Sequence, residues 1–301
     1  MKFGTVTHAV GHHMSFERTL DTIKEIGFDS ILLLTTRRDD SLDTEKVRTS
    51  RGADTVGPDG TCPSAFPNVL DSNPEHVLKA VRNTGLEIGS LHFSGKIDVE
   101  TDEGIEPTTA AMKEYAQYAL ALGCKFLTHP VPGCGRSKVP TEEKEEPIRR
   151  LAACMNATAE AFEDRGLRVG VDVHHRSWVE GLDDCRLLLD SMPCQNAGLL
   201  LNIGHMTSAE GYGWLLVDEY PNRIPVVGWK DHSLGKDRPQ PMWSIELGTG
   251  HSPFELYIRA FKRNPDERAH FINCENVPDE ERVDALKNSH QYLLKLWEET
   301  G

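Results

Sequence analysis

The feature that most constrains the fold of this chain is an alternation between short aliphatic segments and longer segments with helical periodicity. It repeats about eight times in 301 residues and predicts a parallel β-sheet whose strands are joined by helices. The predicted strands are Lys2–His8, Ser30–Thr35, Glu87–His92, Phe126–His129, Arg168–His174, Gly198–Ile203, Pro225–Lys230 and His270–Glu275. The predicted helices include Ser15–Ile26, Pro74–Thr84, Thr108–Leu122, Glu142–Arg165, Leu182–Asp190, Pro253–Arg263 and Pro278–Glu299.

Eight strand–helix units in a chain of this length predict a closed (β/α)8 barrel rather than an open sheet. An open doubly wound sheet usually has a glycine-rich turn after its first strand, whereas here that strand continues into Thr7-His8-Ala9. We therefore expect one barrel domain over residues 1–301. A segment at about 37–70 is rich in Gly, Pro, Asp and Ser, and we expect it to form an elaborated loop over the mouth of the barrel.

The net charge of the chain argues against two classes of binding partner. The chain has 33 Lys and Arg against 47 Asp and Glu, a net charge of −14, which opposes binding to nucleic acids and to anionic membranes. No run approaches the roughly 20 apolar residues that span a bilayer, and the start MKFGTVTHAV lacks the pattern of a signal peptide. We therefore expect a cytoplasmic protein. The seven cysteines include no C-x-x-C pair and are expected to be reduced.

The candidate functional residues follow from the position of barrel active sites at the carboxyl ends of the strands. Side chains alternate along a strand, so in RVGVDVHH the residues Asp172 and His174 are expected to face the barrel axis. In GLLLNIGH the same alternation turns Asn202 inward and places His205 one turn beyond. Carboxylate, amide and imidazole groups are thus expected to converge at one mouth.

Other strands add to this set. Alternation in PVVGWKDH turns Lys230 and His232 inward, and in AHFINCEN it turns Glu275 inward. His92 and His129 end the third and fourth predicted strands. Since carboxylates inside a barrel are costly unless they are paired or bound to metal, the acidic residues are the strongest candidates for chemistry. The predicted substrate-binding residues are His92, His129, His174, His205 and Asn202.

The motifs VDVHH, LNIGHM, GWKD and INCEN, together with GFDSILLL near the start, resemble the sugar isomerase/epimerase group of the xylose isomerase-like barrels over nearly the whole chain. The resemblance implies the fold of that superfamily. Members typically have a Glu followed by His on strand five, D-x-G-H on strand six, H-x-K-D on strand seven and a Glu on strand eight. Four of these residues bind a divalent metal, the two Glu residues exchange protons with the substrate, and the His of D-x-G-H contacts it.

Applied to this sequence, the resemblance places the four metal-ligand positions at Asp172, Asn202, Gly228 and Glu275. Only Glu275 is unchanged. Asp172 keeps a carboxylate on a shorter side chain, Asn202 offers a neutral carbonyl oxygen, and Gly228 offers no side chain. The resemblance therefore implies the fold more strongly than it implies the metal site.

Two arrangements are compatible with these substitutions. In the first, a divalent ion such as Mn²⁺, Mg²⁺, Co²⁺ or Zn²⁺ binds through Asp172 and Glu275, with Asn202 as a weak oxygen donor. An added ligand would complete that set, and the candidates are His174, His205 and His232. In the second arrangement no metal binds, and the Lys230 ammonium supplies the positive charge.

We therefore predict an enzyme that abstracts a proton next to the carbonyl of a small carbohydrate or keto-sugar, giving isomerisation, epimerisation or β-elimination. Asp172 and Glu275 are the predicted acid and base and Lys230 is a third catalytic candidate, because proton transfer to both faces of an enediolate needs groups on both sides. The alternative is a sugar-binding barrel that has lost catalysis. Whether the chain forms a homo-oligomer is left open.

A nuclease of the same superfamily is disfavoured. Apurinic endonucleases of this fold need three zinc ions, and Asn202, Gly228 and Ser244 stand where additional ligands are expected. The net charge of −14 points the same way.

Overall fold

Eight parallel strands form the centre of the molecule and close into a barrel with helices between successive strands, as seen in a computed structural model. The structure describes residues 1–10, 14–34, 74–93, 97–132, 143–209, 211–234 and 242–301. This architecture confirms the predicted (β/α)8 barrel. The expected mouth loop at about 37–70 lies outside the described residues.

The strands pair in sequence order around the barrel, and the last barrel strand, β10, pairs with β1 to close it. Strands β8 and β9 form a separate antiparallel hairpin, which the sequence analysis did not predict. The bounds are β1 Gly4–Val6, β2 Ser30–Leu34, β3 Glu87–His92, β4 Phe126–His129, β5 Arg168–Asp172, β6 Ala197–Asn202, β7 Val226–Trp229, β8 Asp231–Ser233, β9 Met242–Ile245 and β10 Ala269–Ile272.

The helices agree closely with the sequence pattern. Ser15 caps the first of them by accepting a hydrogen bond from the backbone N–H of Arg18 at 3.2 Å. The bounds are α1 Phe16–Ile26, α2 Pro74–Thr84, α3 Ile105–Ala121, α4 Glu145–Ala161, α5 Leu182–Asp190, α6 Ile203–Ser208, α7 Trp214–Glu219, α8 Phe254–Arg263 and α9 Asp279–Glu299. The short helices α6 and α7 were not predicted. No helix in the described ranges has the length and apolar character needed to cross a membrane.

Strand alternation separates the hydrophobic layer from the barrel interior. On β5, Val169 and Val171 are completely buried against the helices, so Gly170 and Asp172 face inward. Lower in the barrel, the ring of Phe271 lies inside the barrel against glycine positions on β1 and β3. The inward-facing polar side chains collect at the carboxyl ends of the strands.

Gly198 on β6 lies where the barrel wall allows no side chain. A methyl group there would overlap the backbone carbonyl of Arg223 and lie 2.7 Å from its carbon atom. That carbonyl accepts a hydrogen bond from the N–H of Leu199 at 2.9 Å, so it cannot move aside without breaking the bond. We expect Gly198→Ala to lower the free energy of unfolding by at least about 2 kcal/mol, measured by urea unfolding.

Gly181 provides the matched control, because no heavy atom of the described residues lies within 4 Å of a methyl group built there and its φ is −122°. Gly181→Ala should change the free energy of unfolding by less than about 1 kcal/mol. Equal effects of the two substitutions would contradict the packing argument.

Candidate active site

Four of the predicted residues meet in pairs at the mouth of the barrel. The Asn202 amide at the end of β6 donates a hydrogen bond to Asp172 Oδ1 at the end of β5, over 3.1 Å. Lys230, the residue after β7, places its Nζ 2.9 Å from Glu275 Oε1. The two pairs share one electrostatic environment, since Lys230 and Glu275 both influence the pKa of Asp172. These four inward-facing side chains therefore form one polar cluster at the mouth of the barrel, which we call the pocket.

Glu275 is the most heavily hydrogen-bonded group of this pocket. Its Oε1 accepts hydrogen bonds from Lys230 Nζ and from the hydroxyl of Ser244 at 3.1 Å. Its Oε2 lies 2.8 Å from His8 Nε2 and accepts a hydrogen bond from the amide of Asn273 at 3.1 Å. An ionised carboxylate only accepts hydrogen bonds and has about four lone-pair positions, so His8 donates from Nε2 and all positions are used.

Burial by itself would raise the pKa of Glu275, but its partners reverse that effect. The positive charge of Lys230 and the hydrogen bonds from His8 and Lys230 hold the pKa well below the usual value for a glutamate. Glu275 is therefore ionised at neutral pH. A carboxylate with such a low pKa is a weak base.

Asp172 has the opposite character. Burial raises its pKa from 3.8 to about 6, although Lys230 and the Asn202 amide partly offset the rise. A carboxylate with a pKa near 6 can both accept and return a proton close to neutral pH. The two acidic residues predicted as an equivalent pair are thus chemically different, and Asp172 is the better suited to proton transfer.

Three residues around Glu275 were not among the predicted site residues. Asn273 follows from alternation, because it lies two residues before Glu275 and therefore faces the same way. His8 ends the first predicted strand, and the same strand-end criterion indicates it. Ser244 arrives on the β8–β9 hairpin with a left-handed φ of 53°, and no local sequence signal identifies it.

The imidazoles of His174, His205 and His232 form a cluster beside this pocket. The rings of His174 and His205 lie 3.6 Å apart, centroid to centroid, and those of His205 and His232 lie 4.7 Å apart edge to face. Burial, followed by the charge of Lys230, lowers the pKa of His174 to about 4, that of His232 to about 3 and that of His205 well below its usual value. The cluster is therefore neutral at pH 7.

His174 and His232 are further oriented by polar neighbours. His174 donates from Nδ1 to the carbonyl oxygen of His175 at 2.7 Å, which leaves its Nε2 as the acceptor nitrogen in the neutral ring. The Nδ1 of His232 is 2.7 Å from the Ser208 hydroxyl on α6. These contacts fix the orientation of two neutral imidazoles beside the Lys230–Glu275 ion pair.

The two earlier histidines have different positions. His92 lies at the mouth, with its Nδ1 2.8 Å from the Thr128 hydroxyl. His129 pairs in register with the outward-facing Val171, and its ring packs 5.1 Å from that of Phe93. Burial lowers its pKa to about 3. The prediction that His129 contacts substrate is not supported by this placement, because alternation points Thr128 rather than His129 into the barrel.

Asp231 fixes the segment that follows β9. Its carboxylate accepts hydrogen bonds from the backbone N–H groups of Gly248 at 2.8 Å, Gly250 at 2.9 Å and Ser252 at 3.0 Å. Three backbone donors on one carboxylate anchor this loop to the residue next to Lys230. Asp231 therefore supports the site from outside the pocket.

The residues at the four family metal positions do not fit a divalent ion. Glu275 has no lone pair left, Gly228 has no donor, and Asn202 turns its NH₂ group toward Asp172. In the described part of the chain, no group of three or more His, Cys, Asp or Glu side chains is arranged to hold a metal ion. The geometry therefore does not support metal binding through Asp172, Glu275, Asn202 and His205.

Comparison with solved structures supports the fold. A sugar phosphate isomerase/epimerase from Parabacteroides distasonis superposes with a TM-score of 0.71 at 15% identity, covering 97% of this chain and 92% of that one. An L-ribulose 3-epimerase gives a TM-score of 0.68 at 13% identity, with 99% and 95% coverage. The IolI protein with a bound zinc atom gives 0.67 at 14% identity, with 99% of each chain covered.

Comparison of the sequence identifies the family but no individual curated relative. No curated protein matches this chain. The family model of the xylose isomerase-like TIM barrel matches residues 20–296, which include β2 to β10 and all the pocket residues described above except His8. The chain belongs to the xylose isomerase-like TIM barrel family.

Proposed function

We propose that this protein is an enzyme that moves a proton at the carbon next to the carbonyl of a small carbohydrate or keto-sugar. The observation that carries the proposal is Asp172, an inward-facing carboxylate with a pKa of about 6 beside an ammonium–carboxylate pair. A buried acid with a pKa near the working pH is suited to general acid–base catalysis. The family and the fold of its sugar isomerase and epimerase neighbours are consistent with this reaction class.

Asp172 is the proposed base. Its ionised form takes the proton from carbon and, once protonated, returns it on the same face to the neighbouring carbon, while a hydroxyl proton passes between the two oxygens; the result is isomerisation. Return of the proton to the same carbon on that face only restores the starting sugar. Glu275 has the wrong pKa for this task, and its proposed role is to hold Lys230 in place. This differs from the equivalent acid and base roles expected from the sequence.

Two buried amide oxygens favour a polyhydroxy substrate. Asn202 is 1% exposed and Asn273 is 3% exposed, and their Oδ1 atoms have no hydrogen-bond partner among the described residues. Each amide is oriented by its NH₂ group, which donates to the carboxylate of Asp172 or Glu275. A sugar hydroxyl can donate to each oxygen, which would satisfy acceptors that are otherwise costly to bury.

The test is proton exchange with solvent. The protein is incubated in D₂O with a panel of aldoses, ketoses and their phosphates, and the signal of the C–H next to the carbonyl is followed by ¹H NMR. We expect this signal to disappear for at least one class of sugar only when protein is present, because the enediolate takes up deuterium from the medium. The absence of exchange across the whole panel would contradict the proposed function.

The saturation of Glu275 by four donors favours a second candidate, a barrel that binds sugars without acting on them. The same samples distinguish the two. A sugar that shows saturation transfer from the protein but no exchange at carbon would favour the binding protein.

A further inference from the structure

The Lys230–Glu275 pair includes one of the four positions that the resemblance assigns to metal ligands, because Glu275 is one of them. Lys230 is 9% exposed, and its Nζ is 2.9 Å from Glu275 Oε1. Glu275 is the one family ligand that this sequence keeps unchanged. The one ligand carboxylate that the sequence keeps unchanged is therefore already paired with a cation that is part of the chain.

The other contacts of Glu275 hold it in this arrangement. Ser244, His8 and Asn273 occupy the remaining acceptor positions at 2.8 to 3.1 Å. For a metal ion to bind Glu275, at least one of these donors or Lys230 would have to be displaced. A second positive charge would also be placed beside the ammonium, in a region where burial reduces solvent screening.

The family ligand position on β7, the strand that pairs with β10, has also changed, since Gly228 stands there. A Cβ built at Gly228 would lie 3.3 Å from Leu200 Cδ2, which is a tight contact, and 3.5 Å from Asn202 Cγ, which is an ordinary van der Waals contact. Asn202, which is neutral, removes one of the negative charges that a divalent ion needs. Gly228 removes a metal ligand and Asn202 removes a negative charge. Both substitutions are consistent with a site that holds the singly charged Lys230 ammonium instead of a divalent ion.

We propose that the Lys230 ammonium replaces the divalent metal ion of the family as the group that stabilises negative charge on the substrate. The reaction named in this inference is that of the proposed function, on which the inference rests. The inference that no divalent metal ion binds does not depend on the proposed function. When Asp172 takes the proton from carbon, the C–H electron pair forms the C=C bond and the carbonyl π pair moves onto oxygen. The ammonium N–H stabilises that oxyanion, and no oxidant, reductant or co-reactant is consumed.

The first measurement is independent of activity. Untagged protein is dialysed against EDTA, returned to metal-free buffer and titrated with MnCl₂ in a calorimeter. We expect no saturable binding at micromolar Mn²⁺ for the natural sequence, because Glu275 is saturated and Lys230 repels the ion. Retention of about one equivalent of metal through EDTA, or micromolar binding of Mn²⁺, would overturn the inference.

The second measurement uses Lys230→Met, which removes the charge and frees one acceptor position on Glu275. We expect Mn²⁺ affinity to rise by about tenfold or more, and solvent exchange to fall by about 10²-fold without rescue by Mn²⁺. Lys2→Met is the matched control, because Lys2 pairs with Glu87 at 3.0 Å on the exposed opposite end of the barrel. This control should leave both readouts unchanged.

Lys230→Arg guards against a folding defect in Lys230→Met, because it keeps the positive charge. We expect Lys230→Arg to show no saturable binding of micromolar Mn²⁺ and to retain more exchange activity than Lys230→Met. If Lys230→Arg and Lys230→Met bind Mn²⁺ equally, the charge of Lys230 is not what excludes metal and the inference fails. If no sugar shows exchange in any variant, the proposed function fails while the Mn²⁺ titrations still decide the metal component.

Discussion

Asp172→Asn is expected to lower turnover by about 10³-fold and at the same time to make the folded protein more stable at pH 8. Activity falls because an amide cannot take the substrate proton. Stability rises because the carboxylate, whose pKa is raised from 3.8 to about 6, is ionised above pH 6 in an environment that disfavours its charge. The hydrogen bond from Asn202 survives, since the carbonyl oxygen of the new amide would still accept it.

The pH dependence has a definite sign. A folded-state pKa above the unfolded value means that the folded protein holds its proton more tightly, so wild-type stability is lost as pH rises from about 4 to about 6 relative to Asp172→Asn. The full difference should be about 3 kcal/mol above pH 7, with wild-type kcat/KM rising through an apparent pKa near 6. Thermal unfolding at pH 4 and pH 8 and a pH–rate profile measure these effects.

Asp164→Asn is the control for this experiment, because Asp164 is exposed and precedes the amino end of β5, whereas the pocket lies at the carboxyl end. It should alter neither turnover nor the pH dependence of stability. A wild-type profile that is flat between pH 5 and pH 7, or an Asp172→Asn variant that is less stable than wild type at pH 8, would remove Asp172 from the proposed mechanism.

Glu275→Gln is expected to lower turnover by about 10²-fold or more and also to destabilise the fold by about 1 to 3 kcal/mol. A glutamine has one oxygen, so its NH₂ group must face either Lys230 and Ser244 or His8 and Asn273, all of which occupy donor positions. The Glu275 side chain is 29% exposed, which keeps the cost below that of breaking a fully buried ion pair. The four hydrogen bonds to the Glu275 carboxylate are the reason that a change of shape as small as Glu to Gln is expected to affect stability.

Urea unfolding and the exchange assay measure the two effects of Glu275→Gln. Glu255→Gln is the control, since Glu255 is exposed on α8, and it should change neither quantity. If Glu275→Gln retained wild-type stability and turnover, the network around Glu275 would be dispensable and Lys230 would not depend on it.

Periodicity is the physical basis of the predictions made from the local sequence. A strand repeats every two residues, so the inward direction of Asp172, Asn202, Lys230 and Glu275 could be deduced from the local sequence, as could Asn273. The strand ends were less accurate. The predicted fifth and eighth barrel strands were extended to His174 and Glu275, whereas pairing stops at Asp172 and Ile272.

His129 illustrates why a strand end alone is insufficient. It terminates β4 as predicted, but the register with β5 pairs it with Val171 and places Thr128 on the side of Gly170. Alternation in the segment FLTH shows that Thr128 and His129 face opposite sides of the sheet. It does not show which of the two faces inward unless the inward side of the sheet is already known. That reference comes from the neighbouring strand.

The amino-acid sequence by itself determined the (β/α)8 architecture and the set of polar side chains that face the mouth, because both depend on short-range periodicity. The tertiary structure decided how those side chains pair and what their charges become. Lys230 and Glu275 are 45 residues apart in the chain, and Ser244 reaches them from a hairpin outside the barrel. Hydrogen bonding and desolvation depend on the distances between such segments. Only the closed barrel therefore shows that Asp172 has a pKa suited to proton transfer, whereas the Glu275 carboxylate is fully hydrogen-bonded.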